Sequence, residues 1–299
     1  MTNLKNSLRK YPVLFKAAKK IKQIISISGT KSEIRKLSNS LDELRDLFLY
    51  EQTRISQQTH PNPLNAFGGK GFSQTDEDGI TIEIIKRLKL ESGTFAEFGV
   101  GNGLENNTLI LAAMNWRGFW VGGEDLAFAT KSSAKFCYLK SWITLNNIIE
   151  LTQLGMSKLN MTNLDVISLD LDGNDIYFAK EILKNKICPK LFIVEYNAQF
   201  PPPAKFQIEY SADHIWVGDN YFGAALQNFY DLFLSNGYKL ICCNSHTGAN
   251  AFFVKNSYAH LFPEVPNDIS RIFVYPRYFL YKRYGHLQSL KVVQSILND

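Results

Sequence analysis

The stretch Phe95-Ala96-Glu97-Phe98-Gly99-Val100-Gly101-Asn102-Gly103 decides how this chain is read. A short apolar run, interrupted only by Glu97, feeds straight into three glycines that alternate with other residues. Glycine tolerates the left-handed backbone of a sharp turn and lets a ligand approach the main chain where a side chain would collide. The apolar periodicity that follows predicts a helix over 103–114, whose first N–H groups lack partners within the helix and face the same point. The next apolar run, 118–122, predicts a second strand that closes on Gly123-Glu124-Asp125.

Outward from there the pattern repeats. Helices are expected over 80–90, 176–184 and 224–234, and strands over 94–98, 164–169, 191–194, 238–242 and 251–254. Solidly apolar strands alternating with helical stretches predict an α/β fold with a doubly wound, mostly parallel sheet, preceded by an N-terminal helical extension. In such sheets ligands gather outside the carboxyl ends of the strands, so polar residues just beyond each strand are the candidates for chemistry.

An acid followed by GxGxG, with a second acid closing the next strand, resembles the class I S-adenosylmethionine-dependent methyltransferases over roughly residues 75–255. Within them there is a looser likeness to the FkbM-like enzymes of small molecules and surface glycans. The resemblance implies a Rossmann-like methyltransferase sheet with S-adenosylmethionine as cofactor. It implies that Glu97, Gly99, Gly101 and Gly103 line the methionine moiety and that Glu124 holds the ribose hydroxyls, with Asp125 as an alternative ribose ligand and Asn146 or Asn147 near the adenine. The charges agree, since a sulfonium and an ammonium welcome a carboxylate that would repel the pyrophosphate of a dinucleotide. The spacing is also GxGxG, not the GxGxxG of a dinucleotide fingerprint.

Two further strand ends are acidic: Asp170-Leu171-Asp172-Gly173-Asn174-Asp175 after the fourth strand and Glu195-Tyr196-Asn197 after the fifth. The methyltransferase resemblance puts this edge beside the reactive methyl and the acceptor. The expected catalytic residues are therefore Asp170, Asp172 and His246 as base or acceptor clamp, with Glu195 and Asn197 orienting the acceptor. Burial beside like charges raises carboxylate pKa values and suits one of them to take a proton. Resemblance to catechol-type O-methyltransferases implies Mg2+ held by Asp172, Glu195 and Asn197, with the departure that their adjacent Asp-Asn is here split as Glu-Tyr-Asn. A calcium loop counted from Asp170 fails because its sixth position is Asp175 where glycine is needed. A strand ending in DxDG also resembles the nucleophile motif of haloacid dehalogenase-type phosphatases, with Val217-Gly218-Asp219-Asn220 as their later metal motif. In that alternative Asp170 would be the nucleophile, although Asn174 stands where the family has a hydroxyl residue. His246 lies just past the strand 238–242, at the ligand edge, where an imidazole can accept a proton near neutrality. His214 lies in the insertion 198–222, whose aromatic and polar residues read as a substrate wall or lid suited to a sugar or other hydroxylated acceptor.

The 299 residues carry a net charge of +5, unevenly spread. Ten basic residues against Glu33 alone give residues 1–36 a charge of +9, and the remaining 23 basic and 27 acidic residues leave −4. The body is thus not a nucleic-acid surface, and no nucleic-acid partner is expected. Apolar residues from Val13 to Ile25 at helical spacing, interleaved with lysines, predict a basic amphipathic helix. It suits either an anionic membrane or packing on protein. The run Ile34, Leu37, Leu41, Leu44, Phe48 and Ile55 follows steps of three and four, the seam of a coiled coil or helical hairpin. Residues 1–60 are therefore read as a helical arm and 61–299 as the main domain, with Pro61 to Gly71 as a hinge between them. The expectation is a homodimer acting on a small molecule or glycan precursor. A non-catalytic scaffold tethered by its arm is the other alternative. Phe273 to Tyr284 interleave aromatic and basic residues and read as a tail packed on the core or a dimer mate. Cys137, Cys188, Cys242 and Cys243 form no CxxC or secreted framework, no run approaches the length of a membrane span and no leader is evident. A cytoplasmic protein is expected, with peripheral membrane contact through the arm.

Overall fold

The computed structural model describes residue 16, residues 31–128 and residues 133–276. Apart from Lys16, the basic amphipathic run 13–25 lies outside the described residues, as does the aromatic tail beyond 276. The chain divides into two compact units, 1–55 and 56–299. The heptad-like run lies on helix α1 (Lys31–Thr59), where Ile34, Leu41, Phe48 and Ile55 are exposed. No helix among the described residues is long and apolar enough to cross a membrane.

The second unit holds β1 (Thr94–Phe98), β2 (Arg117–Gly122), β3 (Phe136–Lys140), β4 (Val166–Leu169), β5 (Leu191–Glu195), β6 (Tyr238–Cys243) and β7 (Asn250–Lys255). They form one sheet in the order β3-β2-β1-β4-β5-β7-β6. The first five pair in parallel, with Ala96 opposite Phe119 on one side and Ile167 on the other, and only β7 runs against its neighbours β5 and β6. Every residue of β1 and β4 is buried, as parallel strands covered on both faces require. Helices α2 (Glu77–Arg87), α3 (Leu109–Ala113), α4 (Ile148–Lys158), α5 (Asp175–Lys184) and α6 (Leu226–Ser235) connect and cover them. Helix α5, for example, buries Ile176, Phe178, Ala179, Ile182 and Leu183 at spacings of one, three and four. The strand order reverses between β1 and β4, so the carboxyl ends of those two strands open the crevice where this architecture places ligands.

Two sequence expectations change. The helix predicted over 103–114 is only α3, because Gly99, Gly101 and Gly103 all take positive φ and the chain keeps turning before it can coil. The segment from Pro61 is not a free hinge either. Asn62 and Asn65 are fully buried, and their amides donate to the carbonyls of Ile241 and Cys243 on β6, each at 2.8 Å.

Candidate functional site

At the crevice the glycine turn is held against the start of the β4 loop. Gly99 has φ +92°, and a Cβ there would overlap the carbonyl of Asp170, so the approach of the two loops requires glycine. A cavity of about 360 Å³ opens between them, lined by Gly99, Gly101 and Glu124 on one side and by Asp170, Asp172 and Asn174 on the other. Trp142 and Ile143, just past β3, line the same cavity, whereas Asn147 is spent on its own turn, accepting from the Thr144 N–H and donating to the Trp142 carbonyl. Asn146 and Asn147, the residues expected near an adenine, are thus not among those lining the cavity.

Glu97 stands behind the turn. It is 2% exposed, and its oxygens accept from the N–H groups of Asn107 and Thr108 and from the Thr108 hydroxyl at 2.5–3.0 Å. Its pKa is raised, by burial first, with those hydrogen bonds opposing. Its oxygens therefore fix the loop that leads into α3. Gly103 also falls outside the cavity wall, beneath the Leu126 and Phe128 side chains. Of the two acids after β2, Glu124 lines the cavity, while Asp125 points to solvent and pairs with Lys140 at 2.7 Å.

On the opposite side Asp170, Asp172 and Glu195 form a compact group in which one oxygen from each lies within 4.8 Å of the others. Asp172 has φ +54°, a conformation that costs a non-glycine residue energy and that recurs at functional sites. Burial pushes the carboxyls of Asp170 and Glu195 well above the usual range, and the neighbouring Asp172 and Asp175 push the same way. Asp175 is raised to about 6, again by burial, although it accepts from the Leu171 and Gly173 N–H groups. Glu195 Oε2 is buried, and no donor among the described residues reaches it. Three hard oxygen donors at this spacing fit a divalent cation of the Mg2+ type.

Asn197 does not join them. It is fully buried, its Nδ2 donates to the carbonyls of Asn220 and Phe222 at 3.0 Å, and its Oδ1 accepts from Gln199 N–H. It braces the insertion instead, and in the acid group Asp170 takes the place expected for it. His246 is likewise away from the cavity wall: its N–H and that of Ser245 donate to the Asp76 carboxylate at 3.0 and 3.1 Å, which pins the loop after β6 to the start of α2.

The histidine that does reach the cavity is His214. Its ring lies over Gly173 so closely that a Cβ there would overlap it, and Asp172 faces it. The insertion delivers it by arching over the crevice, held by ties that include the following. Trp142 Nε1 donates to the Ala212 carbonyl at 2.7 Å, the Tyr210 hydroxyl accepts from Leu145 N–H at 3.0 Å, and Asn174 Nδ2 donates to the Ser211 carbonyl at 2.7 Å. A separate apolar cluster of Phe206, Ile208 and Ala225 stiffens its base. The reading of 198–222 as a substrate wall was the signal that could have ranked His214 above His246. Asp219, which a phosphatase reading would bring to Asp170, is not among the cavity residues, and its Oδ1 accepts from Tyr221 N–H.

No protein-family model matches the chain, and no curated protein matches it. Among solved structures, a fibrillarin/Nop5p complex is similar at TM-score 0.34 and 11% identity, covering 55% of this chain and 72% of that one. CalO1, a methyltransferase in calicheamicin biosynthesis in its SAH-bound form, is similar at TM-score 0.33 and 14% identity, covering 75% of this chain and 58% of that one. The MycE methyltransferase of mycinamycin biosynthesis, in complex with Mg, SAH and mycinamycin VI, gives TM-score 0.32 and 11% identity over 58% of this chain and 45% of that one. The chain thus spans less than two thirds of the length of the last two. The class of fold, a doubly wound α/β sheet with one antiparallel strand, rests on the strand order and register described above.

Proposed function

We propose that the chain is a class I S-adenosylmethionine-dependent methyltransferase that methylates an oxygen of a small molecule or sugar acceptor, in the FkbM-like manner suggested by its motifs. The observation that carries the reading is a cavity at the switch between β1 and β4. It joins a glycine turn, an acid after β2 and two acids after β4, Asp170 and Asp172, with Glu195 of β5 beside them. Gly99 and Gly101 leave the backbone bare for the amino acid end of the cofactor, Glu124 is placed to accept from two ribose hydroxyls, and Trp142 offers a face for the adenine.

When bound, the cofactor supplies an electrophilic methyl on a positively charged sulfur. The work of the protein is then to hold the acceptor oxygen in line with the carbon–sulfur bond, a matter of positioning. The acceptor proton passes to a carboxylate, Asp170 or Asp172, whose upward-shifted affinity suits it to take one. In a form that holds Mg2+, Asp170, Asp172 and Glu195 would be its ligands in place of proton acceptors, and its charge would lower the pKa of an acceptor hydroxyl. Homodimerisation through the α1 seam and peripheral membrane contact through the basic arm extend the reading; sedimentation and vesicle flotation of the full chain test them.

Calorimetric titration with S-adenosylmethionine and S-adenosylhomocysteine, with and without Mg2+, tests the function. One-site binding of both with a dissociation constant on the order of 10 μM is expected. No heat with either ligand in a folded sample would overturn the reading.

A further inference from the structure

Glu124 is the acid after β2 that lines the cavity, and it is exposed, so its aim depends on the backbone that carries it. Close neighbours dictate what that backbone is made of. A Cβ on Gly122 would come within 3.0 Å of the Val100 side chain and 3.2 Å of the Tyr138 hydroxyl, and one on Gly123 within 3.0 Å of the Trp142 ring, so both positions favour glycine. Two successive glycines give a turn wide conformational freedom, and such a turn does not hold a side chain in one direction by itself. The restraint comes from the neighbouring strand. Tyr138, on β3 opposite Trp120 of β2, shares its hydroxyl proton between the carbonyl of Gly122, at 2.9 Å, and that of Glu124. The phenol thus ties both ends of the Gly-Gly-Glu turn to one point. Tyr138 is not among the residues that line the cavity, so whatever it does for a ligand passes through Glu124.

Resting on the methyltransferase reading, in which Glu124 accepts from the ribose hydroxyls, we propose that Tyr138 is the positioning residue for recognition of the cofactor's sugar. Its hydroxyl curls the turn and presents the Glu124 carboxylate in the direction the ribose requires. Without that hydroxyl the Glu124 carbonyl loses this donor, the two glycines sample other conformations, and the carboxylate points at the ribose for only a fraction of the time. Affinity falls by that fraction. The adenine and the amino acid tail meet other residues, so the loss is confined to the contribution of the ribose hydroxyls. A tyrosine that merely filled space would weaken every part of the ligand alike.

The test is calorimetric titration of the full chain and its variants with S-adenosylhomocysteine and with its 2′,3′-dideoxy analogue. The parent should prefer S-adenosylhomocysteine about tenfold, the weight of hydrogen bonds to a charged acceptor. In Tyr138→Phe, S-adenosylhomocysteine should bind about fivefold more weakly while the analogue stays within about twofold, so that the preference collapses to about twofold. Because the two residues act as a unit, adding Tyr138→Phe to Glu124→Ala should weaken S-adenosylhomocysteine by less than about twofold more. Equal binding of the two ligands by the parent, equal losses with both in Tyr138→Phe, an unchanged preference or additive losses in the double variant each overturn the proposal. Failure of the folded parent to bind S-adenosylhomocysteine would instead remove the methyltransferase reading beneath it. A crystal of the unaltered protein with S-adenosylhomocysteine decides even if Tyr138→Phe folds poorly. The phenol is expected on both carbonyls with the ribose on Glu124, and a phenol turned away from them while the ribose stays on Glu124 overturns the proposal.

Discussion

Glu97 and Glu195 are acids near the ends of parallel strands in one sheet, β1 and β5, the first buried and the second half-buried, and they are treated in opposite ways. Glu97 has both oxygens engaged by three donors from the start of α3. Glu195 accepts from the Asp172 N–H but keeps Oε2 buried with no donor among the described residues, and it shares its surroundings with Asp170, Asp172 and Asp175. A satisfied buried carboxylate stabilises a loop. A crowded and under-satisfied one lowers stability and must be retained for something it binds or does. The β1 side of the crevice is thus built for rigidity and, on the proposed function, the β4–β5 side is the one that does chemistry.

The largest expected effect falls on the acceptor side. Asp170→Asn or Glu195→Gln should cut methyl transfer by about 10²–10⁴-fold, as loss of a proton acceptor or a cation ligand does. Both variants should nevertheless resist urea better than the parent at pH 8. The folded values of Asp170, Asp175 and Glu195 lie above those of the unfolded chain, so the folded state holds protons that the unfolded state has released. Stability from these groups is therefore greatest at low pH and falls as pH rises through the folded values, about 6 for Asp175. Urea melts at pH 5 and pH 8 check this, and a steeper fall in the variants than in the parent would break the comparison.

Glu97→Gln comes next. It presents an amide donor to three donors, so a loss of about 2–3 kcal/mol in stability is expected, while cofactor affinity of the remaining folded protein stays within about threefold. A normal melt with lost affinity would move Glu97 to the ligand. Glu124→Ala should weaken S-adenosylhomocysteine about tenfold, near 1.4 kcal/mol, without changing the melt. Mg2+ should have the smallest effect, raising stability by about 1 kcal/mol at about five times its dissociation constant, and Glu195→Gln should abolish that gain. A gain that survives Glu195→Gln would place the ion elsewhere.

Four of the five parallel strands were legible because each is an apolar run that ends on glycine or an acid, whereas β3, between Lys135 and Ser141, carries no such signal. The length of α3 was not, since apolar periodicity over 109–113 extends back to Gly103 without revealing that three left-handed glycines forbid coiling there. That Asp170, Asp172 and Glu195 come together was legible from position alone, because strand ends in a parallel sheet converge. Asn197 obeyed the same rule, yet its amide is consumed by the insertion it follows into. That His214 and Asn174 line the cavity was not legible, because it depends on how residues 198–222 fold back over the sheet. That path is set by scattered ties such as Trp142 to Ala212, which no local spacing records.

The central claim is that an adenosyl sulfonium occupies the cavity between the glycine turn and the acidic loop. A crystal of the protein soaked with S-adenosylhomocysteine tests it most directly. The account predicts the amino acid tail against Gly99 and Gly101, the ribose on Glu124 and the sulfur facing Asp170. An unfilled cavity, or the nucleoside bound at any other edge of the sheet, would contradict it.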